Sequence, residues 1–440
     1  MADQRVENEM KELFSGFSKL DRKDRLHRLV KMGALTAKDV EFLNQGSPLS
    51  TDLAEKFIEN VIGYYQMPLG VVANMVIDGR AYAIPMSVEE TSIVAAASKT
   101  AKWIRERGTL TTEVVGNTVI GQIQIAKVKN WDLLESVFEF RKKEWIDLVN
   151  SDVAKGLVAR GGGVQSLSLR QLDRPDGELM GVLHVYVDAC DAMGANVVNQ
   201  ICEFLKPEIE VATGEEVTMC ILSNLVDSKV TKAKLVIRDV DPEMGEKIAE
   251  GSLFAQLDPY RATTNNKGVL NGIDPILLAT GNDWRAVEAG VHAYAARDGQ
   301  YRSITRWTWN GTELVGEFEA PICVGIVGGV TRLHPTAKMA LRMLGVESAN
   351  HLSRICAAVG LVQNLGALKA LTSVGIIEGH MKLHISNLTM GAGATEAETP
   401  ILQKRLEEIL RLTRRISLNN AIDVLKEMRQ SNVHNLASHK

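Results

Sequence analysis

A change of pattern between Gly116 and Leu222 constrains the fold of this chain more than any other feature of its sequence. Within it, "NTVIGQIQIAKV" alternates with a period of two, which is typical of a strand. "GVLHVYVDA" is a second strand, and "DAMGANVVNQICEFLKPEIE" predicts a helix directly after it. Strands and helices in such a mixture can pack in layers around a core of their own. We therefore predict an inserted α+β unit over residues 116–221.

Glycine loops and helices rich in small residues occupy the chain on both sides of this unit. The pair Asp78-Gly79 divides "VVANMVIDGRAYAIPM" into two alternating halves, which predicts a hairpin with a two-residue turn. "STDLAEKFIENVIG" predicts a helix from a cap at Ser50 to a stop at Gly63. The alanine-rich segment "SVEETSIVAAASKTAKWI" predicts a central helix that packs closely against its neighbours.

Beyond Gly379 the sequence is typical of a charged amphipathic helix. Its apolar residues fall on one helical face, and they are Ile401, Leu402, Leu406, Ile409 and Leu410. We predict a C-terminal helical domain over residues 378–440, and we assign residues 1–115 and 222–377 to one large domain.

The composition is that of a water-soluble globular protein of two or three domains. The chain has 440 residues, of which 45% are hydrophobic and 24% charged, and its formal net charge of −4 offers no basic field to a nucleic acid. No run approaches the roughly 18 apolar residues of a membrane span, and the N-terminus lacks an apolar signal core, so we expect a cytoplasmic protein. The five scattered cysteines predict reduced thiols, without a disulfide framework or a thiolate zinc site.

The stretch "NNKGVLNGIDPILLATGNDWRA" (265–286) places two charges beside an apolar run. Its glycines predict two sharp turns around residues 273–279, because glycine adopts backbone angles that other residues avoid. Lys267 and Asp283 would then project from loops at the two ends of a rigid element into a pocket. The alternative is a pair of ordinary surface turns.

Two acidic positions have structural explanations that compete with catalytic ones. Ser87 and Glu90 have the spacing of a capping box. In this motif the serine side chain caps the helix, and the glutamate side chain accepts from the backbone N–H of the serine. Asp283 precedes the helical run "RAVEAGVHAYAA", where a capping aspartate is common.

His380 and His384 lie four residues apart, which on a helix places both imidazoles on one face, as in many zinc sites. With Glu378 nearby, a metal-dependent hydrolase is one hypothesis. The acid of the H-E-x-x-H motif is missing, however, and Gly375 and Gly379 make the segment irregular. We therefore predict no metal.

The motif "DAMGAN" (191–196) follows a predicted strand and opens a predicted helix. The free N–H groups of such a first turn can bind an anion such as a pyrophosphate. The motif is not G-x-G-x-x-G, and no parallel βαβ pattern surrounds it, which argues against a Rossmann fold but leaves another dinucleotide site open. "ARGGG" (159–163) predicts no more than a flexible turn.

Several segments, in the same order along the chain, resemble the 3-hydroxy-3-methylglutaryl-coenzyme A reductase family, in its soluble class II form from bacteria and archaea. The matching segments are "ENVIG" (59–63), "EETSIVAAAS" (89–98), "DAMGAN" (191–196), "DPYRATTNNKGVLNGIDPILLATGNDWRAVEAG" (258–290), "GIVGGVTRLHP" (325–335), "VGLVQNLGA" (359–367) and "GHMKLHISN" (379–387).

The resemblance implies a large domain with a central helix, an inserted ferredoxin-like domain that binds the dinucleotide without a Rossmann fold, and a mobile C-terminal flap. It implies an obligate homodimer with active sites across the subunit interface, or a trimer of such dimers. The implied reaction is the reduction of the thioester of 3-hydroxy-3-methylglutaryl-CoA to mevalonate, with two hydride transfers from NADH or NADPH, release of coenzyme A and no metal.

Four residues match the catalytic positions of that family. Lys267 would stabilise the oxyanion, because a fixed cation nearby favours the transition state most. His380 would protonate the coenzyme A thiolate, with His384 as the alternative. Glu90 would supply a proton to the carbonyl oxygen of mevaldehyde if burial keeps it protonated, and Asp283 would tune the lysine and the glutamate through hydrogen bonds.

The resemblance also implies residues that bind substrate and cofactor. Arg261 matches the residue that binds the free carboxylate of the substrate, where a guanidinium pairs in bidentate geometry. The polar residues that would complete the substrate pocket are Ser92, Asn224, Asn271 and Gln363. The residues that would contact the dinucleotide are Asp191, Ala192, Met193, Gly194, Ala195 and Asn196.

One departure bears on the cofactor. NADH-preferring relatives carry an acid shortly before the glycine triplet, where it would repel a 2′-phosphate. When the segments are compared without gaps, Ala154 occupies the position of that acid. Asp152, Lys155 and Arg160 lie nearby in the sequence. We therefore favour NADPH slightly over NADH. The sequence leaves open whether the cell makes or degrades mevalonate with this chain, and a non-catalytic assembly protein of the same fold is a further alternative.

Overall fold

The computed structural model describes residues 13–372, 385–413 and 415–437. Contacts divide the chain into two compact units. The first contains the described residues up to Glu89 together with Ile93–Leu368, and the second contains Glu90–Ser92 and the described residues from Lys369 onward.

The described helices are, in chain order, α1 (Arg22–Lys31), α2 (Ala37–Asn44), α3 (Thr51–Ala54), α4 (Ile93–Arg107), α5 (Trp131–Ser151), α6 (Lys155–Val158), α7 (Ala195–Thr213), α8 (Pro242–Leu257), α9 (Pro259–Ala279), α10 (Trp284–Ala295), α11 (Gly329–Leu333), α12 (Pro335–Leu344), α13 (Ala349–Thr372), α14 (Thr399–Thr413) and α15 (Leu418–Ala437). The described strands are β1 (Leu69–Ile77), β2 (Arg80–Ser87), β3 (Gly108–Gly116), β4 (Val119–Ile125), β5 (Gly163–Asp173), β6 (Leu179–Asp188), β7 (Met219–Ser223), β8 (Lys229–Arg238), β9 (Thr305–Trp309) and β10 (Glu313–Ala320). Residues 385–391 are also helical.

β1 and β2 form the predicted hairpin. Asp78 and Gly79 form its turn with φ of 52° and 78°, and Ile77 pairs with Arg80. Positive φ at both central residues is what a tight hairpin turn requires, and aspartate followed by glycine tolerates it. The predicted hairpin is therefore confirmed.

Two local predictions on either side of the hairpin are wrong. Ser50 caps a helix as predicted, with its side chain accepting from Leu53 N at 3.3 Å, but α3 ends at Ala54. Ile62 is fully exposed, so the apolar pattern meets no core that would extend the helix. Ser87 is the last residue of β2 and pairs with Leu69, and α4 begins only at Ile93, so the predicted capping box does not form.

Two larger sheets complete the mixed α+β fold. One is antiparallel with the order β3-β8-β10-β9, and the other is antiparallel with the order β5-β6-β4-β7. The second sheet packs with α5 and α7 around its own buried cluster, which includes Ile123, Trp145, Leu183 and Ile201. This antiparallel pairing agrees with the prediction that no Rossmann fold is present. The predicted domain limits at 115/116, 221/222 and 377/378 stay predictions.

The interior of the first unit is built on α9 and α13. A Cβ on Gly272 of α9 would lie 2.8 Å from Val359 O of α13, and a Cβ on Gly360 of α13 would lie 2.9 Å from Ile273. Glycine at both positions therefore lets the two helices cross in close contact. α4, in contrast, buries only one face, so the interior position predicted for it belongs to α13.

Among the described residues, α13 is the helix whose length and apolar composition could cross a membrane. Of its most apolar window, 67% is buried inside the protein, and residues such as Leu352 and Leu361 are fully buried. A core helix passes the same test of length and composition, and this burial is that of a core helix.

The stretch 265–286 differs from its prediction. α9 runs without a break through Gly268 and Gly272, so Lys267 lies in the middle of a helix and not in a loop. Gly272 serves close packing, and only Gly281, with φ of 67°, forms the predicted turn after the apolar run.

The second unit has a small core of its own. Leu402 and Leu406 of α14 are fully buried against Ala421 and Leu425 of α15. Ile409 and Leu410 pack partly against this core, but Ile401 is 55% exposed, so the predicted apolar face is correct except for that residue. The predictions for Gly375, Glu378, Gly379, His380 and His384 lie outside the described residues.

Candidate active site

Arg261 lies in the first turn of α9. Asp258 caps this helix by accepting from Arg261 N at 2.8 Å, and Pro259 occupies the first helical position. The Arg261 side chain is half-buried, and this burial lowers the pKa of its guanidinium. No side-chain partner of that guanidinium occurs within the described part of the chain. A partly desolvated arginine of this kind is suited to bind a carboxylate.

Lys267 follows on the same helix with an exposed side chain, above a buried network of polar groups. Asn265 donates to Ser303 Oγ at 2.7 Å and to Thr305 Oγ1 at 3.0 Å. Asn266, which is fully buried, donates to Arg302 O at 2.9 Å and accepts from Ile304 N at 3.0 Å. These bonds fix the turn of α9 that carries Lys267, because each polar group would be costly to bury unpaired.

Gln363 of α13 faces α9 at the point where the two helices cross. A Cβ on Gly272 would lie 2.9 Å from Gln363 Cβ, which places the glutamine one residue from Asn271 along this crossing. Its Oε1 atom is buried without a hydrogen-bond partner. Buried side-chain acceptors are rarely unpaired, so this oxygen lacks the partner that its burial would require.

Asp283 is the N-cap of α10, as predicted from the sequence. Its Oδ1 atom accepts from Ala286 N at 3.2 Å and contacts Arg285 Nε at 3.4 Å. Further along α10, a Cβ on Gly290 would lie 2.5 Å from Asn224 O, so the backbone of Asn224 packs directly on this helix. The structure thereby joins the loop of Asn224 to the helix that begins at Asp283.

A small crevice, open to solvent, lies beside this helix. Its lining includes residues of the "DAMGAN" motif, of the Asn224 loop and of the first turn of α10, namely Met193, Gly194, Ala195, Ser223, Asn224, Ala286 and Cys323. The structure therefore brings the predicted cofactor motif next to a predicted substrate residue.

The "DAMGAN" motif connects β6 to α7 as predicted. Gly194 has φ of 100° and precedes the first residue of α7, and Asn196 is exposed in the first turn. Asp191, in contrast, points into the protein, because its Oδ1 atom accepts from Ala349 N at 2.8 Å at the start of α13. This carboxylate holds the loop on α13, which the sequence pattern did not indicate.

The glycines of "ARGGG" have structural roles that the sequence analysis missed. Gly161 and Gly163 have φ of 90° and 110°, and a Cβ on Gly162 would clash with Asp188 O just before the "DAMGAN" loop. Ala154 is fully buried, whereas Asp152, Lys155 and Arg160 are exposed. Of these four residues, the three exposed ones are therefore open to solvent at this turn.

A pair of partly buried acids, one on α9 and one on α10, was also missed. Asp274 of α9 shares a hydrogen bond with Glu288 of α10, and its Oδ1 atom is buried without a partner. Burial, reinforced by the Glu288 charge and only partly offset by Lys267, raises the pKa of Asp274 to about 8. The pair therefore holds a proton at neutral pH.

The remaining predicted residues belong to the second compact unit or lie outside the described residues. Glu90 and Ser92 belong to the second compact unit, where Ser92 has a left-handed backbone with φ of 77° just before α4. His380 and His384 lie outside the described residues. Among residues 13–372, 385–413 and 415–437, no group of three or more histidine, cysteine or acidic side chains could hold a metal ion.

Comparison with known proteins places these observations in a family. A model of the family described as hydroxymethylglutaryl-coenzyme A reductase matches residues 21–385. A 3-hydroxy-3-methylglutaryl-coenzyme A reductase of Archaeoglobus fulgidus is 42% identical over 431 residues, which cover 97% of this chain and 97% of that protein. A probable reductase of the same name from Borreliella burgdorferi is 35% identical over 347 residues, covering 77% of this chain and 78% of that protein.

The class II 3-hydroxy-3-methylglutaryl-CoA reductase of Streptococcus pneumoniae has a similar structure. In its NADPH-bound, open conformations it matches with a TM-score of 0.78 and 39% identity, over 81% of this chain and 99% of that one. A second structure of that enzyme matches with a TM-score of 0.79 over 94% of this chain.

Proposed function

This chain belongs to the hydroxymethylglutaryl-coenzyme A reductase family, and we propose that it reduces (S)-3-hydroxy-3-methylglutaryl-CoA to (R)-mevalonate and coenzyme A with two molecules of NADPH. The pocket that joins residues 193–195 to Asn224 and to the first turn of α10 carries this proposal. The predicted dinucleotide loop and the predicted substrate residue Asn224 both line it, which supports the proposal. The alternative of a metal-dependent hydrolase is not favoured by the family match, and neither is a non-catalytic assembly protein.

The substrate carboxylate would bind to Arg261. This guanidinium is half-buried and has lost part of its hydration. A carboxylate that pairs with it in bidentate geometry replaces the lost hydrogen bonds to water. Gln363 Oε1, buried and unpaired, would accept a hydrogen bond from the substrate hydroxyl, with Asn271 on the same crossing of α9 and α13. Ser92 and Asn224 would complete the pocket.

Lys267 would stabilise negative charge on the thioester oxygen as hydride arrives at the carbonyl carbon. NADPH would supply that hydride when bound, and the residues of the "DAMGAN" loop would hold and orient the cofactor. A lysine held by a rigid helix over a fully paired asparagine network is pre-organised for this task, so little reorganisation is required at the transition state.

Two proton transfers would use residues on other segments. His380 would protonate the sulfur of the departing coenzyme A, since an imidazole titrates near neutral pH. Glu90 would give a proton to the carbonyl oxygen of mevaldehyde in the second reduction, and Asp283, fixed as the cap of α10, would orient Lys267 and Glu90.

The architecture follows the same proposal. Residues 116–221 would be the inserted, ferredoxin-like domain that binds the dinucleotide, and their separate antiparallel sheet and core support this. Residues 378–440 would form a mobile flap, supported by the separate small core of α14 and α15. The chain would act in the cytoplasm as a homodimer, alone or as a trimer of dimers.

A direct assay tests the proposal. Purified protein is mixed with 3-hydroxy-3-methylglutaryl-CoA and either NADPH or NADH, and oxidation of the cofactor is followed by absorbance while free coenzyme A is titrated as a thiol. We expect two molecules of cofactor oxidised for each coenzyme A released, with no effect of a chelator. Release of coenzyme A without oxidation of the cofactor would instead favour a hydrolase.

A further inference from the structure

One short segment, residues 323–326, lies between the "DAMGAN" loop and the turn that precedes Asp283. Towards the loop, Ile326 N donates to Asp191 O at 3.0 Å and the Cys323 thiol contacts Met193 O at 3.4 Å. Towards the turn, Gly325 N donates to Asn282 Oδ1 at 2.8 Å. The segment is therefore hydrogen-bonded to both elements at once.

Gly325 makes the closest approach in this arrangement. A Cβ at this position would lie 2.6 Å from Met193 N, 3.2 Å from Ala192 C and 3.3 Å from Asp191 O. All three atoms belong to the backbone of the loop, which cannot move aside as a flexible side chain can. Gly325 does not have a positive φ, so glycine is required here for space.

Asn282 is fixed at both ends of its side chain. Its Nδ2 group donates to Thr280 Oγ1 at 3.0 Å while its Oδ1 atom accepts from Gly325 N. Thr280 is fully buried and donates to Ile276 O at 2.7 Å, which ties it to the end of α9. Asn282 thus connects the end of α9 to the segment, immediately before Asp283.

We propose that Gly325 and Asn282 are positioning residues that set the distance between the cofactor loop and Asp283. The proposal rests on the proposed function, in which this loop holds NADPH and Asp283 orients the catalytic lysine. The chain of contacts runs from Met193 through Gly325 to Asn282, so the two halves of the site cannot shift independently. Hydride transfer is sensitive to this distance, since a displacement of about 1 Å can reduce a rate about a hundredfold.

The variant Gly325→Ala tests the loop side of this contact. Its methyl group must displace the backbone at Met193, and we expect the dissociation constant of NADPH to rise about tenfold or more. NADPH fluorescence measures that constant, and calorimetry with 3-hydroxy-3-methylglutaryl-CoA alone should give an affinity within about twofold of the wild type. With NADPH deuterated at the transferred position, the isotope effect on kcat should increase, because hydride transfer becomes slower than the other steps.

Val324→Ala is the matched control, because Val324 lies in the same segment but is buried in the main hydrophobic cluster of the first unit. We expect it to lower the melting temperature, through a cavity, while the affinity for NADPH and the isotope effect stay at wild-type values. Equal losses of NADPH affinity in Val324→Ala and Gly325→Ala would show that only stability is involved, and would overturn the proposal.

The Asn282 variants test the other side and do not depend on the folding of Gly325→Ala. Asn282→Ala should raise the isotope effect, and Asn282→Asp, which keeps the acceptor oxygen, should restore most of the wild-type value. Wild-type isotope effects in Asn282→Ala would overturn the proposal. A wild-type protein that binds NADPH but does not reduce the thioester would refute the proposed function. The positioning role of Gly325 would still be tested in that case, by the NADPH affinity of Gly325→Ala.

Discussion

The side-chain amide of Asn364 donates to the side-chain oxygen of Asn265 across 2.9 Å. The indole N–H of Trp307 donates to Asn364 Oδ1 at 2.7 Å, which completes the pairing of this buried amide. Asn265 and Lys267 share a turn of α9, and Asn364 directly follows Gln363 on α13. The two asparagines therefore hold the proposed oxyanion residue and the proposed substrate residue in a fixed relation.

Asn364→Ala should lower both stability and activity. It leaves Asn265 and Trp307 with unpaired buried groups, so we expect the free energy of unfolding to fall by about 2 to 3 kcal/mol. In the protein that remains folded, kcat/KM should fall about tenfold, because Lys267 and Gln363 lose their fixed relation. Urea unfolding and steady-state kinetics measure the two effects. Asn44→Ala, at an exposed site, is the control and should change neither; full activity in folded Asn364→Ala would contradict the positioning role.

Lys267→Ala should fold normally and lose thioester reduction. The side chain is exposed, so its removal leaves no cavity, but loss of one pre-organised oxyanion partner costs about 3 kcal/mol, or about a hundredfold in rate. Circular dichroism and the absorbance assay measure these outcomes. Lys338→Ala, which removes a lysine from α12, is the control and should retain wild-type turnover. A rate near wild type in Lys267→Ala would exclude the assigned role.

His380→Gln should impair the thioester far more than mevaldehyde. Only the thioester releases a thiolate that needs a proton, so the second reduction has no use for this group. Parallel assays with 3-hydroxy-3-methylglutaryl-CoA and with mevaldehyde give the comparison, and His384→Gln shows whether the neighbouring imidazole has the same task. Equal losses on both substrates would indicate that His380 acts only through its position.

Stability should fall as pH rises from about 4 to about 8, through the Asp274 and Glu288 pair. The folded state keeps a proton on Asp274 that the unfolded chain releases near its ordinary pKa of 3.8, so the folded state binds more protons across this window. Nearby Lys267 favours the charged form of Asp274 and therefore lowers its pKa, but by less than burial and Glu288 raise it. Asp274→Asn should flatten the profile of melting temperature against pH, and the exposed Asp298→Asn should leave it unchanged. A wild-type profile in Asp274→Asn would rule out the buried proton.

Replacing Lys155 and Arg160 together with alanine should raise KM for NADPH and leave KM for NADH nearly unchanged. Both side chains are exposed near the glycine triplet, where a cation would pair with the 2′-phosphate. Steady-state kinetics with each cofactor give the ratio of kcat/KM. If wild-type protein instead prefers NADH, and only Asp152→Asn accepts NADPH, Asp152 is the discriminating residue.

Local signals in the sequence predicted local structure well. Asp78-Gly79 specifies its own turn, because both residues adopt positive φ. Asp283 caps α10 through its Oδ1 atom, which accepts from the N–H of Ala286 only three residues later. The motif resemblance implied roles for the residues, which no periodicity could have given.

Features that depend on distant partners were missed for a physical reason. Gly272 resembles a turn residue, but its neighbour is the backbone of Val359, which lies far along the chain. Asp191 bonds to Ala349 N and Asp274 to Glu288 on another helix, and no window of sequence contains both partners of either pair. Predicting these contacts requires the tertiary fold itself.

Gly116, the last residue of β3, pairs with Lys229, the first residue of β8. The chain therefore leaves the sheet and returns to it at one pair of adjacent residues. Gly116 has φ of 78°, and a Cβ there would strike Ser228 O, which fixes how the two chain ends meet. Residues 117–228 therefore leave and rejoin the sheet at two adjacent points, and Asp191 and Asn224 make further contacts with the rest of the unit. A short turn in their place would close β3 and β8 into a hairpin. A graft of the corresponding stretch from a relative would have to preserve the contacts of Asp191 with Ala349 and of Asn224 with Gly290.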